Sequence, residues 1–293
     1  MVGPEGGSLF PAPFLVHRSP GNERRERLGF PTQSHNQHGP LLLAEVAVPT
    51  YDEVIQRVIP EVEFHQNRYA RGLADSVRPG CRWLDVGAGT KLHAGWVGLK
   101  AKDLADRAEL LVGCDVVEEH LLQNSLLDSA TVADATRLPF CDGSFDLVTA
   151  NMVLEHLEEP ENVFAEVARV LAPAGRFVFV TPNLHSPVVW TASLLLSKTV
   201  RKRLSQFLEG RVEEHIFHTF YRANSRPAIQ KLCERVALRV EEIDTFNSYP
   251  FMRRWPLTMI EAFWINAISR GPLKAFTTNL FGVLEKVDRR AQL

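Results

Sequence analysis

Glycines and acidic residues at the ends of apolar runs are the first candidates for chemistry in this chain. Leu84-Asp85-Val86-Gly87-Ala88-Gly89-Thr90 is an apolar run that ends in a glycine turn, and glycine lets a backbone approach a ligand that a Cβ atom would exclude. Asp115 ends the next apolar run, where a carboxylate can accept both hydroxyl protons of a ribose. The pattern favours nucleotide binding, but a tight turn and a helix cap at Asp115 explain it too.

Three more motifs follow in order. In Ala133-Asp134-Ala135, before the apolar segment Leu138-Pro139-Phe140, the carboxylate can accept the exocyclic amine of adenine. Asn151-Met152-Val153-Leu154-Glu155-His156-Leu157 comes after another apolar run, and Leu171-Ala172-Pro173-Ala174-Gly175-Arg176 ends a helix directly before a strand. These motifs extend the candidate site along several consecutive elements.

The elements that must position these motifs alternate between strands and helices. Short apolar runs predict strands near residues 81–87, 110–114, 131–133, 145–150, 176–180 and 239–243. Helical periodicity predicts helices near residues 52–77, 94–107, 118–127, 160–171 and 224–236. Such alternation indicates an α/β fold with a doubly wound, mostly parallel sheet.

Composition excludes several classes of protein. The 293 residues are 45% apolar and 23% charged, which is typical of a globular chain. A formal net charge of −2 does not favour nucleic-acid binding. The four cysteines form no CxxC pair, which argues against a zinc site and a disulfide scaffold. No apolar run is long enough to span a membrane, so we expect a cytoplasmic location.

Together the motifs resemble a known family. The order LDVGAGT, CDVVEEHL, VADATRLPF, GSFDLVTANMVLEHL and VLAPAGRFVFVTPN resembles the class I S-adenosylmethionine-dependent methyltransferases, in particular the branch of the ubiquinone and menaquinone biosynthesis methyltransferases. The resemblance covers residues 65–183 and extends weakly to residue 243. It implies a seven-stranded Rossmann-like sheet and S-adenosylmethionine as cofactor.

The resemblance also implies roles for individual residues. Asp85, Gly87 and Gly89 would flank the methionine part of the cofactor, Asp115 would hold the ribose, and Asp134 would approach the adenine. The full expected cofactor-binding set is Tyr69, Asp85, Gly87, Ala88, Gly89, Asp115, Val116, Asp134, Ala135 and Asn151. Tyr69 enters this set because the helix before the first strand can cover the cofactor, although that helix could equally pack on the sheet alone.

One position departs from the family pattern. The glycine loop of the family commonly reads GxGxG, and Lys91 stands at the third glycine. Lysine can bind through its backbone or through its ammonium, or it can mark a degenerate site. Three functions therefore stay open: a working methyltransferase, a methyltransferase-like scaffold protein, and an NAD(P)-dependent oxidoreductase on a similar sheet. The chain has no TyrxxxLys pair after the central strand, which argues against the oxidoreductase.

Histidines are the candidate catalytic bases. Methyl transfer mainly needs alignment of the reactants, but an oxygen nucleophile benefits from a base, and imidazole titrates near neutral pH. His156, His215 and His218 are the candidates. Glu213 with His215 and His218 could be read as metal ligands, but their irregular spacing is weak evidence, and we predict no metal site.

The chain divides into five segments by pattern. We expect residues 1–45 to form a mobile arm, 46–183 the S-adenosylmethionine-binding core, 184–223 a lid or substrate-facing insertion, 224–249 the end of the α/β core, and 250–293 an aromatic-rich C-terminal extension. Residues 81–183 carry a net charge of −8 and residues 184–235 a net charge of +5. This asymmetry suits an anionic acceptor or surface, as well as ordinary solvated charge.

The C-terminal extension contains an apolar stripe. Helical spacing predicts one shared face for a set of apolar residues, which are Trp255, Leu257, Ile260, Phe263, Trp264 and Ile268. With arginines on both sides, this face could lie on an anionic membrane, close the core, or join two copies of the chain. We therefore expect a small-molecule, glycan or lipid acceptor, O-methylation, and either peripheral membrane contact or a homodimer.

Overall fold

The protein is described by a computed structural model that covers residues 57–58, 63–93, 99–187, 189, 217–248, 257–269 and 271–287. The helices are α1 (His65–Ser76), α2 (Ala101–Ala105), α3 (Glu118–Gln123), α4 (Pro160–Val170), α5 (Arg226–Arg235) and α6 (Leu257–Ile268). The strands are β1 (Arg82–Val86), β2 (Leu110–Asp115), β3 (Ser129–Val132), β4 (Phe145–Asn151), β5 (Leu171–Pro182), β6 (Leu238–Phe246) and β7 (Asn279–Lys286). Single 3₁₀ turns cover Leu154–His156 and Gly271–Phe276.

The seven strands form one sheet in the order β3-β2-β1-β4-β5-β7-β6. β1 to β5 are parallel, and β7 runs antiparallel to both of its neighbours. This confirms the predicted doubly wound, mostly parallel sheet. The carboxyl ends of the parallel strands meet at one edge, which we call the carboxyl edge, and the strand order reverses there between β1 and β4. Ligands bind at such a switch point in open α/β sheets.

Helices cover both faces of the sheet with separate apolar cores. On one face, Phe164 and Val167 of α4 and Ile229 of α5 pack against strand residues such as Phe177. On the other face, Tyr69 and Leu73 of α1 pack against Trp83. Because both faces are buried, the central strands read as continuous apolar runs rather than as alternating ones. This is why the sequence predicts most of them correctly.

The last strand of the sheet comes from the segment that we expected to be a C-terminal extension. β7 inserts between β5 and β6 and pairs Phe281 with Val180 on one side and Gly282 with Ile243 on the other. Most of its side chains are buried. The sheet is therefore completed by residues beyond 250, and the boundary at 249 does not mark the end of its strands.

α6 has an exposed apolar stripe, but the residues on it differ from the predicted set. Ile260, Phe263 and Trp264 are exposed, whereas Ile268 is buried. The prediction that Ile268 shares their face is wrong, because the helix packs on the protein through the opposite face, whose buried residues are Thr258, Glu261, Ala262, Ile265 and Ile268. Trp255 lies outside the described residues. Within the described part of the chain, no helix is both long and apolar enough to cross a membrane.

Candidate functional site

The glycine turn lies at the carboxyl end of β1 and requires glycine for two separate reasons. Gly87 and Gly89 both have positive φ, 65° and 49°, a conformation that other L-residues rarely adopt. A Cβ atom on Gly87 would also lie 2.5 Å from Cγ2 of Val153, whereas one on Gly89 would meet nothing closer than 3.9 Å. Gly87 is thus fixed by backbone and packing, and Gly89 faces open space.

Hydrogen bonds to β2 and to the residue after α3 hold the glycine turn in place. The N–H groups of Gly87 and Ala88 donate to the carbonyl oxygen of Cys114, at 2.7 and 3.0 Å. Gly89 N–H donates to Oδ2 of Asp115 at 2.9 Å. Nδ2 of Asn124 donates to the Ala88 carbonyl at 3.1 Å. The loop is therefore preorganised, and its shape does not depend on a bound ligand.

Asp115 ends β2 and accepts two backbone hydrogen bonds. Its Oδ1 receives the N–H of Val117 at 2.9 Å, in addition to the Gly89 contact. The carboxylate therefore caps the turn after β2, as its sequence position allowed, and also clamps the glycine loop. A carboxylate has about four lone-pair sites, so Asp115 keeps acceptor capacity for further hydroxyl donors.

The neighbouring end of β3 is open. Asp134 is exposed and accepts from N–H and Oγ1 of Thr136, both at 2.8 Å. Val116, beside Asp115, is an exposed apolar side chain, and Ala135 is partly buried against the core. The set of two carboxylates, an apolar surface and open space before Gly89 fits the ribose and adenine of a nucleoside.

α1 reaches the carboxyl edge through Gln66. Its side-chain amide and that of Asn151, at the end of β4, exchange two hydrogen bonds of 3.0 Å each. Nδ2 of Asn151 also donates to the Leu92 carbonyl beyond the glycine turn, at 3.3 Å. The helix therefore does cover this edge. Tyr69, the residue of this helix in the expected cofactor set, is fully buried one turn later, and Gln66, which reaches the edge, was not in that set.

Asp85 lies below the glycine turn in the core. Oγ1 of Thr149 donates to its Oδ1 at 2.6 Å, and Nε1 of Trp83 donates to the same Thr149 oxygen at 2.7 Å. Burial raises the pKa of Asp85 to about 7, although the Thr149 hydrogen bond opposes the shift. Burial, with the nearby Asp85 carboxylate, raises the pKa of Tyr69 well above its usual value. These groups form a buried polar cluster around Thr149, at the strand that leads into the turn.

Met152, directly after β4, has a strained backbone. Its φ is 57°, and its N–H donates to the carbonyl oxygen of Val180 at 2.9 Å. A residue other than glycine in this region costs energy, and such strain concentrates at functional sites. The strain turns the chain away from β4 so that Val153 can pack over Gly87.

Two of the three candidate histidines meet after β4. Nδ1 of His156 donates to the His218 carbonyl oxygen at 2.9 Å, and the rings of His156 and Phe217 lie 5.8 Å apart. His215 lies outside the described residues. In the described part of the chain, no group of three His, Cys, Asp or Glu side chains is arranged to hold a metal ion.

A buried network of hydrogen-bonded polar side chains occupies the β4–β5 end of the carboxyl edge. Oγ1 of Thr181 donates to Oε2 of Glu155 at 2.9 Å, and Nδ2 of Asn224 donates to the Thr181 hydroxyl at 2.7 Å. The Glu155 carbonyl accepts the N–H groups of Phe220 and Tyr221. Burial raises the pKa of the Glu155 carboxyl, while His156, whose Nε2 lies 3.9 Å from Oε1, opposes the shift.

Comparisons with known proteins agree with this geometry. A family described as a methyltransferase domain matches residues 84–179. The demethylmenaquinone methyltransferase of Beutenbergia cavernae is 41% identical over 36% of this chain and 43% of its own length. The malonyl-[acyl-carrier protein] O-methyltransferase of Hahella chejuensis is 33% identical over 40% of this chain and 42% of its own length. The chain thus spans less than half the length of these curated relatives.

Among solved structures, an S-adenosylmethionine-dependent methyltransferase from Mesorhizobium loti aligns with a TM-score of 0.48 and 18% identity, over 76% of this chain and 98% of its own. The family match covers β1 to most of β5, which are the strands that carry the glycine turn, Asp115 and Asn151. Residues 84–179 therefore match a methyltransferase domain whose cofactor is S-adenosylmethionine, and they are similar to methyltransferases of ubiquinone and menaquinone biosynthesis.

Proposed function

We propose that the whole protein transfers a methyl group from S-adenosylmethionine to a small-molecule, glycan or lipid acceptor, with an oxygen atom as nucleophile. The observation that carries this proposal is the preorganised glycine turn, clamped by Asp115 and lying beside the Gln66–Asn151 pair. A cytoplasmic location and the absence of a resident metal stay predictions.

The cofactor would be held by groups from four strand ends. Asp115 would accept the ribose hydroxyls and Asp134 the adenine amine, with Val116 and Ala135 against the ring. The turn of Gly87, Ala88 and Gly89 would border the methionine part, which Gln66 and Asn151 would cover from α1 and β4. Asp85 and Tyr69 would act from below by fixing the turn, since both are buried.

When bound, S-adenosylmethionine supplies a methyl group on a positively charged sulfur. The residues of the chain then have to orient the acceptor and exclude water, and good alignment is worth roughly 7 to 11 kcal/mol in such reactions. The clamped turn and the paired amides are suited to this task, because they reach their positions without rearranging.

His156 is the base that we propose for an oxygen acceptor. Its Nδ1 carries a proton, because it donates to the His218 carbonyl, and this leaves the lone pair on Nε2. A proton taken by Nε2 would create an imidazolium 3.9 Å from Oε1 of Glu155, whose carboxylate stabilises that charge. His218 thus contributes its backbone carbonyl, and a role for His215 stays a prediction.

Two measurements test the proposal. Calorimetry with the full chain should detect S-adenosylmethionine binding, and transfer of a radioactive methyl group to extracted acceptors should depend on His156. We expect His156→Ala to lower the rate by about 10²- to 10⁴-fold, without weakening cofactor binding. His156→Gln, which cannot take up a proton, should be equally slow. Unchanged transfer in both variants would remove His156 from the mechanism.

The same measurements separate the alternatives. A folded protein that binds no S-adenosylmethionine would contradict the proposed activity and favour a scaffold role, and binding of NAD(P) instead would favour an oxidoreductase. Normal cofactor binding with transfer independent of the two His156 variants would contradict the assigned base, since methylation of oxygen and of carbon both release a proton. Identification of the methylated atom in the product would then distinguish oxygen from carbon transfer.

A further inference from the structure

One helix of the protein is apolar on both of its faces. α6 buries Ala262, Ile265 and Ile268 against the protein, yet on the opposite face Ile260, Phe263 and Trp264 are 65%, 75% and 42% exposed. Ile260 precedes Phe263 by three residues and Trp264 by four, so the three side chains lie on one side of the helix. Within the described residues, the inner face packs on the protein and the outer apolar face stays exposed.

The 3₁₀ turn after α6 packs against that helix and carries two more exposed apolar side chains. Leu273 and Phe276 are 47% and 43% exposed, and every residue of Gly271–Phe276 is exposed. We call the five side chains Ile260, Phe263, Trp264, Leu273 and Phe276 the apolar ridge. Several exposed apolar side chains on neighbouring elements mark an interaction site more often than isolated ones do.

The ridge is mounted rigidly on the protein. Nδ2 of Asn247 donates to the Ile265 carbonyl and to Oγ of Ser269, at 3.2 and 2.9 Å. Nδ2 of Asn183 donates to the carbonyl oxygens of Ala275 and Thr277, at 2.9 and 2.8 Å. These bonds fix both parts of the ridge, so its exposure does not come from a frayed end.

The Asn183 contacts also place the turn with respect to the site. Asn183 directly follows β5, so the 3₁₀ turn lies at the carboxyl edge, where the glycine turn and Asn151 also lie. A surface that contacts the ridge would therefore approach the edge at which methyl transfer is proposed.

The segment that carries the ridge has more basic than acidic residues. Between residues 257 and 278 the only acidic residue is Glu261, which is buried, and the basic residues are Arg270 and Lys274. Lys274 pairs with Asp244 at 2.8 Å and stays about half exposed. In sequence, Arg253 and Arg254 precede the helix. Exposed Trp and Phe on a helix with basic residues at its ends are what an interfacial helix presents to an anionic bilayer.

We propose that the apolar ridge is the surface through which this protein rests on an anionic lipid membrane. Membrane contact itself does not depend on the methyltransferase activity. Its functional consequence, that the acceptor is a lipid or lipid-linked molecule presented at the carboxyl edge, rests on the proposed function.

Vesicle flotation with the full chain tests the contact. The protein should float with phosphatidylcholine vesicles that contain phosphatidylglycerol, bind less to phosphatidylcholine alone, and be released in part by high salt. The double variant Phe263→Glu, Trp264→Glu should bind at least tenfold more weakly. Leu122→Glu, which changes an exposed apolar residue on α3, is the matched control and should float like the natural protein.

Insertion can be measured separately from binding. Lipids with brominated acyl chains should quench part of the tryptophan fluorescence, and Trp264→Phe should lose that quenching while it still floats. The proposal is overturned if the natural protein stays unbound, or if the double variant floats like Leu122→Glu. Sedimentation that shows a dimer dissociating in the double variant, without vesicle binding by the natural protein, would assign the ridge to a second copy of the chain. Floating protein without S-adenosylmethionine binding would leave the membrane contact intact and contradict only the enzyme.

Discussion

The two ends of the carboxyl edge differ in how their polar groups are satisfied. At the β1–β2 end, Asp115 clamps the glycine turn and keeps acceptor capacity, and Asp134 is exposed. At the β4–β5 end, Glu155, Thr181 and Asn224 are buried and bonded to one another. The first end therefore keeps acceptor capacity for a ligand, whereas the polar groups of the second end are paired within the chain.

This difference separates a locally encoded part of the edge from one that depends on the tertiary fold. The β1–β2 end depends on backbone geometry and on a few carboxylates that a local sequence motif can encode. The β4–β5 end is held by a segment more than sixty residues away, since the N–H groups of Phe220 and Tyr221 donate to the Glu155 carbonyl. Variants should therefore affect the two ends in different ways.

The largest expected effect concerns the buried carboxyl of Asp85. Its pKa in the folded protein is raised from 3.8 to about 7, so the folded state binds this proton more tightly than the unfolded chain. The natural protein should then lose about 4 kcal/mol of stability from this group as pH rises from about 4 to about 7, at about 1.4 kcal/mol per pKa unit. Asp85→Asn removes the titration and should abolish this component.

Urea unfolding at several pH values measures that difference. The stability of Asp85→Asn relative to the natural protein should increase between pH 4 and 7 and stay constant above. Glu155→Gln should show the same direction at the other end of the edge, because burial raises the pKa of Glu155 as well. A stability difference between Asp85→Asn and the natural protein that does not change between pH 4 and 7 would contradict the raised pKa of Asp85.

The second prediction compares the two glycines of the turn. Gly87→Ala meets Val153 and keeps a positive φ, so we expect a loss of about 2 to 5 kcal/mol from backbone strain and overpacking together. Gly89→Ala meets no close atom and should lose only about 1 to 2 kcal/mol from the backbone. Urea unfolding of both variants tests the order, and equal losses would show that Val153 moves aside freely.

The third prediction concerns the carboxylate that clamps the turn. Asp115→Ala removes a charged acceptor from the ribose position, so S-adenosylmethionine affinity should fall by about ten- to a hundredfold. The variant should also lose stability, because the N–H groups of Gly89 and Val117 lose their acceptor. Asp134→Ala, at the exposed position, should weaken binding only about two- to tenfold. Calorimetry gives both affinities, and an unchanged value for folded Asp115→Ala would remove this residue from the site.

The sequence predicted the parallel strands correctly because their signals are local, and the roles of the residues at the cofactor end stay predictions. The glycine turn, Asp115 and the parallel strands all follow from short apolar runs and the residues that end them. The Gln66–Asn151 pair joins positions 85 residues apart, and no local pattern indicates such a partner. The sequence did indicate that the helix before β1 covers this edge, but within that helix it favoured Tyr69 over Gln66 as the cofactor residue.

The C-terminal elements were harder for a different physical reason. β7 is an apolar strand within a segment that is apolar throughout, so its run of Leu280, Phe281, Val283 and Leu284 did not stand out. α6 carries apolar residues on both faces, and periodicity cannot tell which face is buried when Ile260 and Ile265 are equally apolar. Only the packed structure shows that Ile265 lies inside and Ile260 outside.

The smallest effect is expected at Lys91, the position where the sequence departs from the family pattern. Lys91 is exposed and is not among the residues of the turn with positive φ, which are Gly87 and Gly89. Glycine is therefore not required there by the backbone. Lys91→Gly should lower stability by about 0.5 to 1 kcal/mol, through the greater freedom of the unfolded chain.

Cofactor affinity in Lys91→Gly decides what the lysine does. If Lys91 only tolerates the turn, calorimetry should find an affinity within about threefold of the natural value, which corresponds to about 0.6 kcal/mol. If its ammonium contacts the cofactor carboxylate, affinity should fall further and become less sensitive to salt, because a charge pair has been removed. A variant that binds S-adenosylmethionine when the natural protein does not would mean that Lys91 blocks the site. In that case the protein would be a scaffold in which the preorganised turn binds no cofactor. The difference between the β1–β2 end and the β4–β5 end of the carboxyl edge would then have no bearing on catalysis.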